Sequence, residues 1–455
     1  MFDLIVAMTP EGGIGIDNNM AWNCKDELAI FKEKTMNSVL IMGRKTVENL
    51  PKLSDRIIYC ITSQKTLNTK KYKNDVFYCS SLDDAFKHIK LTFPSKKIFV
   101  AGGVQIYNSI LCDKKYLDKL HHIHISYMKQ KYTCNKFLTF SFNFEWCIEE
   151  TLEHPEFTHY VLSRNTHGEN QYLNVLRNVM GDGTIREGRN GTVKSTFIQH
   201  LCFDLRNGFP LLTTRKMFFR GIVEELLFFI RGETDSKKLE EKNVNIWKGN
   251  TNRTFLNTIG MTSRKEGIMG PMYGFQWRHF NAPYNPDTGK AESKGIDQLE
   301  KVIDMIKSDP TSRRILMTDF NPAQVEQGVL YPCHSIIMQF YVEDTYIDCF
   351  CFNRSSDLFH GLSFNIASTS LLFLLIASVT KLNARYLHLS LGDSHIYSEH
   401  LDAVKEQLTR RPFTLPKLTI TKELRNVNDI ENLTISDFIL DNYKFHDTIK
   451  VDMVA

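Results

Sequence analysis

Residues 97–107, KIFVAGGVQIY, decide the fold of the first third of the chain. An apolar run of strand length, 97–100, ends at Gly102-Gly103, and a helix opens directly behind it. The same pattern appears twice more. FDLIVAM (2–8) precedes Gly12-Gly13-Ile14-Gly15, and VLIM (39–42) precedes Gly43-Arg44-Lys45-Thr46. RIIYCI (56–61) is a fourth run. Segments this short and apolar suit buried parallel strands. Between them, 26–36 and 82–89 read as helices, the second with Ser81 as N-cap and Asp83 and Asp84 in its first turn. The alternation predicts a doubly wound α/β sheet, closed by an antiparallel pair at 143–149 and 158–163. Each glycine cluster then lies at the carboxyl end of a strand, where open sheets bind ligands. There the backbone can approach a phosphate closely, and a helix N-terminus offers free N–H groups. Arg44 and Lys45 add charge suited to a phosphorylated nucleotide. Taken singly, each cluster is a turn more often than a phosphate site.

The alternation stops near residue 164. A short polar stretch, 165–170, reads as a linker between a domain at 1–164 and a larger one at 171–455. In the second, helices are expected at 172–180, 219–231, 296–307 and 363–379, and strands at 335–342 and 346–352, giving a mixed α+β domain. The 455 residues are 42% hydrophobic and 24% charged, which excludes disordered, collagen-like and coiled-coil chains. Residues 1–164 carry 22 Lys+Arg against 18 Asp+Glu and the remainder 34 against 34, too small a surplus to imply nucleic acid. The ten cysteines form no Cys-x-x-Cys pair and no Cys/His metal spacing. No bound metal is expected. With no cleavable apolar leader at MFDLIVAMTP, free thiols imply a reducing, cytoplasmic setting. The most apolar run, 371–379, is nine residues against the ~20 of a spanning helix, so it reads as a core helix and no membrane partner is expected.

The first domain resembles dihydrofolate reductase. The matching stretches are 4–7, Ile14-Gly-Ile-Asp-Asn-Asn19, Trp22-Asn23, Glu27-Leu-Ala-Ile-Phe31, Ile41-Met-Gly-Arg-Lys-Thr46 and Gly102-Gly-Val-Gln-Ile-Tyr107. The resemblance implies NADPH lying on Ala7, Gly13, Ile14, Gly15, Ile16, Asp17, Asn18, Asn19, Gly43, Arg44, Lys45, Thr46, Thr62, Ser63, Gln64, Gly102, Gly103, Val104, Gln105 and Ile106. It implies folate against Ile5, Phe31, Arg56, Ala101, Tyr107 and Ile123. Glu27 matches the acid of the pterin pocket. Hydride reduction of a C=N bond needs a proton on nitrogen, which a buried carboxyl can help deliver. Phe31 is one turn on, on the same helix face, and Arg56 suits a folate carboxylate. Ala21, Val47 and Ile123 stand where the family usually has Pro, Trp and a hydroxyl residue beside the acid.

In the second domain, Tyr331-Pro332-Cys333-His334 stands out. By itself, one Cys in ten is a structural thiol more often than a nucleophile. Its surroundings resemble thymidylate synthase: Asp204-Leu-Arg-Asn-Gly-Phe-Pro-Leu-Leu-Thr-Thr214, Glu225-Leu-Leu-Phe-Phe229, Gly270-Pro-Met-Tyr-Gly-Phe-Gln-Trp-Arg278, Ser312-Arg-Arg314, Arg354-Ser-Ser-Asp357, Phe364-Asn-Ile-Ala367 and Gly392-Asp-Ser-His-Ile-Tyr397. The resemblance implies Cys333 as nucleophile on the uracil of dUMP, with Glu225 and Tyr273 moving protons. The nucleotide would meet Arg189, His334, Asn353, Arg354, Ser355, Ser356, Asp357, Asn365, His395, Ile396 and Tyr397. Arg313 and Arg314 would reach in from the other subunit of a homodimer, and the guanidiniums would lower the thiol pKa. Arg215 and Trp247 would meet the cosubstrate 5,10-methylenetetrahydrofolate, and residues 449–455 would close over the site. Asn353 stands for a usual Gln, Phe320 for a frequent Trp, and the 188–192 loop is one residue short.

The expected function is therefore bifunctional: reductive methylation of dUMP to dTMP, then NADPH-dependent recycling of the dihydrofolate released. Three alternatives remain at this stage. They are a synthase with a non-catalytic reductase module, a nucleic-acid-binding regulator on an enzyme fold, and a Cys–His hydrolase. The last lacks a glycine-flanked nucleophile turn.

Overall fold

A computed structural model describes the chain except residues 18, 52, 64–75, 139–145, 165–167, 189, 453 and 455. The chain divides into two compact units, Met1–Asn165 and Thr166–Ala455.

The first unit is built on an eight-stranded sheet. In spatial order its strands are Val76–Cys79, Ile57–Ile61, Val39–Gly43, Ile98–Val100, Phe2–Met8, Leu120–Met128, Phe157–Arg164 and Trp146–Glu153. The first six are parallel and the last two antiparallel. Strands 39–43 and 98–100 are neighbours, yet the chain leaves them toward opposite edges of the sheet. Their carboxyl ends therefore flank the crevice at which such sheets take ligands. Helices form where expected: Lys25–Thr35, and Leu82–Thr92 with Ser81 Oγ accepting from Asp84 N at 3.1 Å. Strands 76–79 and 120–128 carry no clear alternation and were not expected from the sequence.

The second unit is a six-stranded sheet in the order Thr184–Gly188, Gly191–Asp204, Asn383–Tyr397, Tyr346–Asp357, Ile337–Glu343, Leu316–Thr318. Only the pair 346–357 and 383–397 is parallel. Parallel neighbours need a crossover, and the helix Gly361–Thr380 supplies it. That helix is 20 residues long, well beyond the apolar run that marked it, and by length and mean hydropathy (1.9) it would suffice to cross a bilayer. Most of it is buried inside the unit, where residues from Leu362 to Val379 form the core. Helices Asn170–Asp182, Phe219–Ile230 and Gln298–Ser308 lie close to their expected positions. The first of these begins two residues early, inside the stretch read as linker. Glu169 precedes it, buried, and its carboxylate accepts from the backbone N–H groups of Thr213 (2.7 Å) and Thr214 (2.9 Å).

Candidate active sites

In the first unit, Glu27 sits in the first turn of helix 25–35 and is only 5% exposed. Burial pushes its carboxyl up to about 7, against a hydrogen bond from Ser126 that pulls it down. Ser126 Oγ also pairs with His159 Nδ1 at 3.0 Å, and burial takes that imidazole down to about 4, so it is neutral at physiological pH. Tyr107 OH donates to Ile5 O at 2.7 Å. Phe31 packs on the core patch containing Ile5 and Ala101. Arg56 is buried, its guanidinium donating to Thr35 Oγ1, Ser54 O and Lys32 O. Three of its five donors are thus engaged, two of them on the C-terminal turn of helix 25–35.

Beside this acid lies a backbone cradle. Gly43 N donates to Gly102 O at 2.8 Å. A Cβ on Gly103 would lie 3.0 Å from Thr46 Oγ1 and crowd it, and Gly102 has φ +120, where a side chain is strained. Gly103 caps the helix Val104–Leu111, whose first N–H groups face this opening. Gly13–Gly15 pairs with Lys136–Phe137, and the turn behind it is tied by Asn135 Nδ2 to Asp17 Oδ1 at 2.8 Å. Lys45, Ser63, Gln105, Asp17 and Asn19 are exposed, while Ala7, Ile14, Ile16, Thr46, Thr62, Val104 and Ile106 are half-buried. Arg44 is held by Glu48 at 2.8 Å. Asn18 and Gln64 lie outside the described residues.

In the second unit, four elements converge on Cys333. Tyr273 OH is 3.5 Å from Cys333 Sγ and accepts from Cys333 N at 3.3 Å. The ring of Tyr273 stacks on His334, centroids 4.5 Å apart, and on Phe229 at 5.2 Å. Trp247 Nε1 donates to Glu225 Oε1 at 2.8 Å, and burial pushes the Glu225 carboxyl up to about 7 despite that bond. Arg354 reaches Pro332 O at 2.9 Å, and Ser355 N donates to Cys333 O. Tyr273 (φ +44) and Ser335 (φ +56) both occupy left-handed backbone, a conformation that costs about 1–3 kcal/mol for residues with side chains and persists where packing enforces it. Gly274 shows the enforcement: a Cβ there would meet Phe229 O at 2.0 Å.

Exposure sorts the nucleotide candidates. On strand 346–357, Arg354 is exposed and Ser355 and Asp357 are half-buried, and on 383–397 so are His395 and Tyr397, with Ser355 opposite Asp393 and Asp357 opposite His395. His395 Nδ1 lies 3.1 Å from Asp393 Oδ1. Asn365 is half-buried on the crossover helix.

The family model for dihydrofolate reductase matches residues 1–165, and that for thymidylate synthase residues 170–455. The chain is 35% identical to the bifunctional dihydrofolate reductase-thymidylate synthase of Paramecium tetraurelia, over 100% of this chain and 99% of that protein. It is 34% identical to the Zea mays protein of the same name, over 100% and 97%. The Plasmodium chabaudi protein of that name is also 34% identical, over 92% and 84%. The chain belongs to the bifunctional dihydrofolate reductase–thymidylate synthase family. It joins NADPH-dependent dihydrofolate reduction to methylation of dUMP by 5,10-methylenetetrahydrofolate in one polypeptide.

Within this dihydrofolate reductase–thymidylate synthase several expectations need correction. Ile123, expected at the folate, is fully buried opposite Leu4. The hydroxyl beside the acid belongs to Ser126, three residues on and nearer the carboxyl end of the same strand. Asn353, Ser356 and Ile396 are buried, Asn353 on the strand face it shares with Ser355 and Asp357, and Ser356 on the face it shares with Arg354. Asn353 Oδ1 instead accepts from Ser335 N at 2.9 Å and braces the Cys333 loop. Arg215 is buried too, donating to Phe359 O and, at 2.7 Å, to Ser363 Oγ. The lowered thiol pKa is not found. Burial pushes the Cys333 thiol up, Tyr273 and Arg354 pull it down, and Asp319 adds to the rise. Arg313 and Arg314 are exposed, and Arg189 lies outside the described residues.

Two groups escaped the sequence reading. Ser126 was hidden by uncertain register on an unrecognised strand. Asp319 is 1% exposed, its oxygens without a well-formed hydrogen bond among the described residues, and burial holds its carboxyl well above the usual range. The chain end also docks here: Ile449 is buried and His400 Nε2 donates to Asp452 O at 2.9 Å, with His400 Nδ1 4.0 Å from Asp357 Oδ1.

Proposed function

We propose that Glu27 is the acid of the reductase site and Cys333 the nucleophile of the synthase site. The observation that supports this most is, in each unit, a glutamate whose carboxyl desolvation raises to about 7 beside one side-chain hydrogen-bonding neighbour, Ser126 for Glu27 and Trp247 for Glu225. NADPH supplies the hydride when bound, and the gap between Gly43, Gly102, Gly103 and Thr46, which any Cβ would fill, fits a backbone-held phosphate. Glu27 holds the pterin and sustains protonation of the nitrogen beside the hydride acceptor. Ser126 orients its carboxyl, while Phe31 and Arg56 position the rest of the folate.

In the synthase unit, Cys333 Sγ adds as thiolate to C6 of the uracil, making C5 a carbon nucleophile. Methylenetetrahydrofolate supplies the one-carbon unit and the hydride. Tyr273 helps remove the C5 proton, and Glu225, fixed by Trp247, relays protons. Arg354 and Ser355 hold the phosphate, His395 and Tyr397 the ribose, Asn365 the uracil edge and Asp357 the folate pterin. The tail at Ile449–Asp452 excludes water.

Arg313 and Arg314 make no side-chain hydrogen bond or ion pair among the described residues, which suits donation to the site of a second subunit. Leu316, Ile337, Tyr341 and Phe350 expose apolar surface on the same sheet, an area fit for a homodimer. All ten cysteines are free, which favours the reducing cytoplasm. The assay supplies dUMP, methylenetetrahydrofolate and NADPH and follows dTMP and NADPH oxidation together. Formation of dTMP without NADPH oxidation would leave the reductase unit as a folate-binding module. Sedimentation as a monomer at micromolar concentration would remove the dimer.

A further inference from the structure

The sequence holds a His-x-His pair, His122 and His124, that neither activity uses. On strand 120–128 the spacing puts both rings on one face. Asp3, on the neighbouring parallel strand 2–8, points a carboxylate between them. Asp3 Oδ1 is 3.4 Å from His122 Nδ1, and Asp3 Oδ2 is 3.6 Å from His124 Nε2. The three ligand atoms all lie within 4.8 Å of one another.

We propose that Asp3, His122 and His124 form a site for a tetrahedral divalent transition metal, Zn²⁺ foremost, at the amino ends of the reductase strands. Metal–nitrogen and metal–oxygen distances of about 2.0–2.1 Å place tetrahedral ligand atoms about 3.4 Å apart. The two carboxylate–imidazole separations, each to a different Asp3 oxygen, are close to that edge. His122 has the expected support, for its other nitrogen, Nε2, lies 3.1 Å from Glu149 Oε2. A metal-bound imidazole characteristically donates its second N–H to a carboxylate, which fixes the ring.

His124 supplies an independent indication. It is 7% exposed, and neither ring nitrogen has a hydrogen-bond partner of good geometry among the described residues. A buried imidazole in that condition is costly, and a metal at Nε2 would satisfy it. His121 Nδ1, 3.9 Å from Asp3 Oδ1, stands at the exposed rim, where it or water completes the coordination. A second cluster, Asp26, His154 and Glu156, has no buried member and carries no such argument.

The site lies toward the amino ends of strands 2–8 and 120–128, with His124 stacked on His159, the partner of Ser126, at 6.1 Å. Asp3 and His122 are near the starts of strands whose far ends carry Ala7 and Ser126. A metal here would tie strands 2–8 and 120–128 together and, through Glu149, strand 146–153, so its role is structural.

The test uses the full chain, stripped of metal and given one equivalent of Zn²⁺ at pH 7.5, read by X-ray absorption. The expected first shell is nitrogen and oxygen at about 2.0–2.1 Å with no sulfur at about 2.3 Å. Co²⁺ in its place should give tetrahedral d–d bands without thiolate charge transfer. His122→Ala and His124→Ala should each abolish this equivalent, and Glu149→Gln should weaken it about 10–100-fold. Both enzymatic activities of His122→Ala and Glu149→Gln should match metal-stripped wild type, while His124→Ala, whose ring stacks on His159, is read by metal uptake alone. A wild-type chain that takes up no such equivalent, or binds it through sulfur, overturns the proposal whether or not the variants fold. So does unchanged uptake in the double variant.

Discussion

Glu27 and Glu225 stand in unrelated folds, each on a helix, one in a unit whose sheet is mostly parallel and the other in a unit whose sheet is mostly antiparallel. Burial pushes both carboxyls up to about 7, and each meets a single side-chain donor, Ser126 or Trp247. The difference lies in what surrounds them. Around Glu27 there is a neutral histidine and an open glycine cradle. Around Glu225 there is a thiol, a buried phenol and left-handed backbone at Tyr273 and Ser335. Reduction of a C=N bond asks the protein for one proton and a place for the hydride donor. Methylation at a poor carbon nucleophile asks in addition for a covalent handle. The thiol and the buried phenol of the second unit meet that demand.

The sharpest way to break the comparison is to disable each site separately. Glu27→Gln should slow dihydrofolate reduction about 10²–10⁴-fold with NADPH binding intact, and dTMP formation unchanged. Cys333→Ser should abolish dTMP formation and leave reduction untouched. A variant that lowers both rates would show that the sites are not independent.

Next in size is Trp247→Phe. Loss of a hydrogen bond to a charged group costs about 1.5–3 kcal/mol, so dTMP turnover should fall about 10–100-fold. Without the indole the Glu225 carboxyl rises further, and the pH profile of kcat should move upward. A profile that stays in place would detach Glu225 from the rate.

Stability gives a third comparison. Each glutamate has a folded pKa near 7 against an ordinary value of 4.5. The folded state therefore binds the extra proton below pH 7, and the advantage is lost as pH rises through 7. Glu27→Gln and Glu225→Gln should each stabilise the fold at pH 8 by up to about 3 kcal/mol and have little effect at pH 5. Denaturant unfolding at the two pH values measures this; destabilisation at pH 8 would contradict the burial argument.

The smallest effect is expected from Ser126→Ala, about fivefold on reduction for a lost hydrogen bond near 1 kcal/mol. The acid form of Glu27 is the active one, so the rate is flat below its pKa and falls above it. Removing Ser126 raises that pKa, so the falling limb should shift to higher pH.

Much of this was legible beforehand, for identifiable reasons. Glycine after a short apolar run announces a strand end, and the chemistry of Cys333, Glu27 and Glu225 is tied to residue type. Strand 120–128 was not legible, because His121, His122 and His124 break its apolar pattern. Ser126 was lost with it. Asn353, Ser356 and Ile396 are buried beside the more open Arg354, Ser355 and His395. A linear motif does not show which neighbour faces the opening.

The sequence by itself determined that two catalytic units share this chain, which chemistries they run and which side chains are suited to them. Those properties reside in local apolar periodicity and in functional groups that no folding step alters. Only the tertiary structure decided the electrostatics. Burial, a sum over neighbours distant in sequence, brings Glu27 and Glu225 to neutrality, raises the Cys333 thiol instead of lowering it, and sets Asp3 between two histidines more than 100 positions away.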